Sequence, residues 1–399
     1  MRRRLQNKIA ESSVTLPAAC VVATLLWWLP QGGYSAEYLL GWLACALTTY
    51  LVMETAAVNA MLRIRSRMLS SLFLFMMAAY GFLHPLQSGA VTLLLMAFAI
   101  YCFFRTYEKS RPEVDTLHAY LFLSLGSLLW PPLLMLVLVF LWSQAVYLRS
   151  LSMRSLGAAL IGIVLPYGFW ATGAFAVGNI TPFVEHATAI IAPVRLPVLS
   201  AIHGQALLSD TYLRWLGYDA GNIPVAQNSW EATIVAAHHT DWQGFVQNIF
   251  CWLESRWPQC SALALTLLFA VTGFVHYVRQ SYDDKIRVRM CYYSFMVMQV
   301  VIVVWLFCQP HYFAFLFPLL VLSTVPMAAH FIALTRTWLT NVWVIVLGLA
   351  LVAVAVCCLA LPQHQGWPLP STDMDFPQRF AAVVDLPKWL EFLHLPFKL

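Results

Sequence analysis

The chain has 399 residues, of which 61% are hydrophobic and 10% charged, with a net charge of +5 and a mean hydropathy of +0.72. A soluble domain carries about 25% charged residues, and only a bilayer solvates this much apolar surface. A soluble domain is therefore excluded, and the positive charge reads as a signal of membrane orientation rather than of nucleic-acid binding.

Met1-Arg2-Arg3-Arg4 followed by an apolar run from Val14 to Trp28 imitates a secretory signal. Tyr34 stands where a cleavage site needs a small residue, so an uncleaved first span is expected. Further apolar stretches place spans near 14–30, 37–58, 68–83, 87–104, 116–130, 131–148, 155–177, 261–278, 290–308, 312–334 and 339–361. The expected fold is all-α, a polytopic transmembrane helix bundle of 10 or 11 spans, since about 20 residues cross a bilayer. The fifth and sixth spans meet at Trp130-Pro131-Pro132, which no helix continues through without a break. They form either a full hairpin or a re-entrant pair, and both return the chain to the same side.

Lysine and arginine test the assignment. Of the 23, 17 fall in segments that alternate spans put on one side: 2–8, 63–67, 105–111, 149–154, 279–289 and Arg336. The other six lie in the long loop or the tail, where charge has little bearing on orientation. The N-terminus is therefore expected in the cytoplasm and the C-terminus outside. Four regions follow: a membrane block over 1–178, an extracytoplasmic loop over 179–260, a second membrane block over 261–362 and a tail over 363–399. Trp215, Tyr218, Trp230, Trp242, Trp252 and Trp257 in or beside the loop predict short helices lying at the membrane face. The nine cysteines show no CxxC or Cys/His metal spacing.

Few polar residues could carry chemistry. Glu54 is the one acid well inside a span, either an intramembrane proton relay or a snorkelling group near Arg63 and Arg65. Glu37 opens the second span, where the helix dipole favours an acid; a catalytic or metal-binding acid at the outer face is the other reading. His238-His239-Thr240-Asp241 supplies two imidazoles and a carboxylate, a donor set for a divalent metal or simply a solvated loop. His84-Pro85 and Gln309-Pro310-His311-Tyr312 mark outer span ends, as turns or as contacts to a headgroup. Asp283-Asp284, followed by Lys285, Arg287 and Arg289, reads as local ion pairing and a topology anchor. No P-loop, dinucleotide turn, Gly-x-Ser-x-Gly or His-Glu-x-x-His occurs.

Two stretches carry a resemblance. Arg63–Gly178 contains Phe82-Leu83-His84-Pro85, Tyr107-Glu108-Lys109, Leu123-Ser124-Leu125-Gly126-Ser127-Leu128-Leu129-Trp130-Pro131-Pro132 and Gly162-Ile163-Val164-Leu165-Pro166-Tyr167. Tyr282–Asn341 adds Asp284-Lys285-Ile286-Arg287, Gln309-Pro310 and Ala329-His330-Phe331. Over about half its length the chain resembles an uncharacterised family of multi-pass inner-membrane proteins of Bacteroidetes, which implies a bacterial inner membrane. In order of elements it also looks similar to polyisoprenyl-phosphate-dependent glycosyltransferases of the GT-C type. That likeness implies a lipid-linked substrate met at the outer face, with Glu37 as base or metal ligand and His84, His311 and His238–Asp241 lining the cavity. Those enzymes use an acidic pair in the first outside loop, and the corresponding segment here offers Glu37 alone. The alternatives are a non-catalytic scaffold docking a membrane or periplasmic protein, and a small-molecule transporter.

Overall fold

The computed structural model describes residues 12, 14–28, 36–64, 66–191, 242–308, 312–335 and 337–360. Among them every one of the eleven predicted spans is helical. The helices are α1 (Thr15–Trp28), α2 (Ala36–Val58), α3 (Met68–Ala79), α4 (Ser88–Phe104), α5 (Glu113–Leu129), α6 (Leu136–Val146), α7 (Met153–Val177), α8 (Thr181–Ile191), α9 (Trp242–Gln280), α10 (Ile286–Cys308), α11 (Phe313–Leu334) and α12 (Trp338–Ala360). Short 3-10 turns at Gly81–Leu83, Pro131–Met135 and Ser281–Asp283 join them.

Among the described residues, six segments are long and apolar enough to cross a bilayer: Ala36–Val58, Met153–Ala176, Pro258–Asp283, Ile286–Phe307, Phe313–Leu334 and Trp338–Cys358. These helices are compatible with an integral membrane protein. Other helices are shorter; the 12 residues of α3 reach only about 18 Å at roughly 1.5 Å per residue. A second difference from expectation lies at α9, which starts at Trp242 instead of near 261. Residues 242–260, expected to hold short interfacial helices within the outer loop, are the first part of one continuous 39-residue helix. Between Gly244 and Pro258 the sequence holds no helix breaker, and Pro258 itself is accommodated inside.

The core is organised around α11. All of its spanning window is buried, with α9, α10, α3 and α4 packed about it. An apolar helix surrounded on every side fits this position. Glycines let backbones close in: a Cβ on Gly89 would lie 2.4 Å from the Ala314 carbonyl, and one on Gly273 2.8 Å from the Ala328 nitrogen. Small residues at such crossings are how helices associate in lipid, where apolar side chains gain nothing by leaving the tails. The most extensive contact elsewhere joins α5 and α7, where a Cβ on Gly162 would meet the Leu117 carbonyl at 2.6 Å.

Among the described residues, the basic loops around 63, 108, 148 and 284 gather at one end of the bundle. Arg63 bonds Asp283 and Asp284, Arg287 bonds Asn59 and lies over Tyr107, and Glu108 N–H donates to Leu148. We call this the arginine-rich end. The opposite end carries Trp27, Glu37, His84, Trp130 and Tyr312.

Candidate functional site

The predicted site residues separate at the opposite end. Glu37 sits in the first turn of α2 with its side chain exposed, and its carbonyl accepts from Leu86 N–H at 3.0 Å. His84 follows the Gly81–Leu83 turn, fully buried. Its Nε2–H donates to the Ala78 carbonyl at 3.0 Å, and its ring stacks on Trp27 with centroids 4.0 Å apart. Burial pushes the imidazole down to about 4, against the opposing effect of the Ala78 bond, so it is neutral near pH 7. Trp27 in turn donates its indole N–H to Tyr38 at 3.0 Å. Glu37 and His84 therefore share one corner, but the histidine is enclosed and the acid faces outward. Glu54 is half-buried in the last turns of α2. His238, His239, Asp241 and His311 lie outside the described residues. Among the described residues no group of three His, Cys, Asp or Glu side chains is arranged to hold a metal.

A cluster that the sequence reading passed over lies nearby. Gly178, with φ of 73°, ends α7 in the left-handed conformation that a helix C-terminus favours. The chain then reverses, and α8 packs on the Pro131–Met135 turn and on α7. Tyr167 of α7 lies 2.7 Å from the Ser127 hydroxyl of α5 and 3.4 Å from His186 Nε2 of α8. Ser127 donates to the Ser124 carbonyl at 2.6 Å. The order of donors is thus fixed: His186 Nε2–H to Tyr167, Tyr167 to Ser127, Ser127 to backbone. Trp170 meets the His186 ring edge-on at 4.7 Å and Phe183 at 5.5 Å. Beside the same turn Trp130 stacks on Phe315 at 5.0 Å and on Trp305 at 5.2 Å, with its buried indole N–H unpartnered. The result is a half-buried tyrosine and histidine next to an aromatic wall, beneath a short helix. An apolar chain or a sugar face finds rings there, while the donors of the hydrogen-bond chain are committed to one another.

This cluster explains the two quoted motifs. Ser124 Oγ donates to the Ile163 carbonyl at 2.8 Å, and Ser127 reaches Tyr167, so Ser124-to-Pro132 and Gly162-to-Tyr167 are the two faces of one helix contact. His186 gave no signal in sequence, being one histidine in an ordinary loop.

At the arginine-rich end Asp284 is buried and accepts from Arg63 and, at 3.1 Å, from His330 Nε2. Burial pushes the Asp284 carboxyl up, but the bonds from His330 and Arg63 outweigh it and hold the group below its ordinary value. Asp283-Asp284 is an ion-pairing site as expected, but its partner is Arg63, some 220 residues away, rather than the bases that follow it.

No protein-family model, curated protein or solved structure matches the chain.

Proposed function

We propose that this membrane protein resides in a bacterial inner membrane, N-terminus inside, and binds a lipid-linked substrate at its outer face. In this reading it works in the manner of a GT-C-type glycosyltransferase or a catalytically reduced relative. The observation that supports it is the Ser127–Tyr167–His186 hydrogen-bond chain under α8 beside the Trp130 stack, at the end away from the arginines. His186 and Tyr167 bind the phosphate of the substrate, the aromatic wall takes its apolar or sugar face, and Glu37, exposed at the start of α2, acts as base.

The test uses the full chain in nanodiscs and a photoreactive polyisoprenyl-phosphate probe. Labelling is expected in α8 and the 131–135 turn, and to fall about tenfold in His186→Ala, the loss of a charge-assisted bond or two. Labelling that is spread along the lipid-facing helices and unchanged in His186→Ala sinks the reading. The scaffold alternative draws on one observation, the enclosure of His84, fully buried and stacked on Trp27, which makes that histidine part of the packing at this corner. Under it, Glu37→Gln has no effect on any lipid-linked product while a copurifying periplasmic protein is lost on deleting the outer loop.

A further inference from the structure

The cations of the arginine-rich end fall into two groups. Arg63 is held by Asp283 and Asp284, Arg105 and Lys109 by Asp115, and Arg287 by Asn59. Arg149 and Arg154, on the turn between α6 and α7, are exposed, and among the described residues they enter no ion pair and no side-chain hydrogen bond. The turn that carries them is pinned. Glu108 N–H donates to the Leu148 carbonyl at 3.3 Å, Ser150 Oγ to Thr106 Oγ1 at 3.0 Å, and Ser155 Oγ to the Ser150 carbonyl at 2.9 Å. Between these bonds Arg149 takes the left-handed conformation, with φ of 49°, which costs any residue but glycine.

The helix that follows is open on one apolar face. Met153, Gly157, Leu160, Val164 and Gly168 recur every three or four residues and so share a stripe of α7. Met153 is 87% exposed, Leu160 55% and Val164 60%. A Cβ on Gly157 or Gly168 would meet nothing within 4 Å, so each glycine is a notch in an uncovered surface. The stripe begins at the turn that bears the two arginines. From Arg154 to Val164 the helix rises about 15 Å at roughly 1.5 Å per residue. That is the depth of one leaflet's hydrocarbon, half of about 30 Å.

We propose that α7 and the turn before it bind an anionic phospholipid, with Arg149 and Arg154 on its phosphate and one acyl chain laid along the stripe over Gly157 to Val164. Unspent charge at the head of an uncovered apolar stripe of one leaflet's depth matches a molecule with a negative head and a long apolar chain. Planar guanidinium groups take phosphate oxygens in pairs. The acids of the neighbouring α4–α5 connection and the start of α5 are Glu108, Glu113 and Asp115. Asp115 is engaged by Arg105 and Lys109, and Arg111 adds an exposed positive charge to the same connection. The site requires only that these helices stand in a bilayer. It rests on neither the orientation nor the lipid-linked substrate argued above.

The test is native mass spectrometry of the full chain in mild detergent micelles, offered phosphatidylglycerol and phosphatidylcholine of equal chain length in equal amounts. Phosphatidylglycerol should be retained in preference, by about fivefold for each arginine. Arg149→Gly removes the guanidinium and the backbone strain together. It should melt no lower than the parent in lipid-free micelles yet lose about fivefold in phosphatidylglycerol retention, and Arg154→Gln should show the same loss. Gly157→Leu has room for its side chain and leaves both arginines in place; by filling the notch it should lower retention about threefold. Arg105→Gln, whose charge Asp115 already meets, should leave the preference unchanged. Phosphatidylglycerol should raise the melting temperature where inorganic phosphate alone does not. Equal retention of the two lipids, a preference that survives loss of both arginines, a loss as large in Arg105→Gln, indifference to Gly157→Leu, or equal protection by inorganic phosphate overturns the proposal.

Discussion

The two ends of this bundle are held by different forces. At the arginine-rich end, segments far apart in sequence are tied by charge: Arg63 to Asp283 and Asp284, His330 to Asp284, Arg287 to Asn59. At the opposite end the ties are backbone contact and stacked rings: Gly41 against the His84 carbonyl, Trp27 on His84, Trp130 between Trp305 and Phe315. The ion pairs between distant segments gather at the first end. The opposite end, with few charges among the described residues, closes by shape. The comparison teaches where each end is vulnerable: one to pH and salt, the other to a single methyl group.

The largest effect is expected from that methyl group. A Cβ on Gly41 would lie 2.1 Å from the His84 carbonyl oxygen, and one on Gly89 2.4 Å from that of Ala314. Both obstacles are backbone, so the helices must separate. Gly41→Ala and Gly89→Ala should each cost about 3 kcal/mol, the upper range for overpacking. Gly348→Ala meets nothing within 4 Å and should stay within about 0.5 kcal/mol of the parent. Thermal unfolding in one detergent ranks the three; equal melting temperatures would mean that the opposite end yields to crowding and is not closed by shape.

Asp284→Asn comes next and breaks the other end. It leaves Arg63 and the His330 N–H facing a neutral amide. Loss of a buried ion-pair partner costs about 3–5 kcal/mol, and Arg63 is 36% exposed, so water recovers part of it and about 2 kcal/mol is expected. The pH dependence has a definite sign. The folded Asp284 is held below its ordinary value of 3.8, so its contribution is complete above that value and lost as pH falls through the lower folded one. The parent should therefore lose stability on acidification below about pH 4 more steeply than the Asn variant; parallel acid limbs would show that Asp284 is not the group responsible.

Trp27→Phe should be milder. It keeps a ring on His84 and deletes the indole bond to Tyr38, a loss of about 1 kcal/mol. Trp27→Ala removes the stack as well and opens His84 to solvent. Histidine NMR would then show the His84 imidazole rising from about 4 toward the ordinary value; an unmoved titration would mean that something other than Trp27 keeps it dry.

Much of the helical plan was legible in sequence because apolar length and arginine spacing are local properties. Each predicted span is helical over its described residues, six of them long and apolar enough to cross a bilayer, and the described loops at Arg63 and Asp284 meet. Helix ends that depend on partners were not legible. Trp242–Trp257 reads as short interfacial helix separate from the next span because its tryptophans fit an interface, yet nothing in it stops a helix, and α9 runs straight through. Asp284 looked locally paired because three bases follow it, while its actual partners, Arg63 and His330, come from distant segments that only tertiary packing brings together. The Ser127–Tyr167–His186 chain was hidden for the same reason: three helices supply one residue each.

The smallest effect sharpens the comparison within the arginine-rich end itself. Lys109 and Arg105 both reach Asp115 at the start of α5, the lysine in direct contact and the arginine at 3.6 Å. The pair resembles Arg63–Asp284 in charge, and Asp115 is buried to a similar degree. The difference is redundancy and exposure. Lys109 is 45% exposed and Arg105 44%, so either cation can leave while the other, or water, serves the carboxylate. Asp115 also lies in the first turn of α5, where the helix dipole supports a negative charge without any partner. Lys109→Ala should therefore cost less than about 0.5 kcal/mol, and the cost should vanish in high salt. Asp284→Asn, by contrast, should keep most of its effect at the same salt, because its carboxylate is enclosed and its histidine partner cannot be replaced by an ion from solution. A Lys109→Ala loss that equals that of Asp284→Asn and survives salt would remove the distinction between a redundant rim pair and an enclosed one.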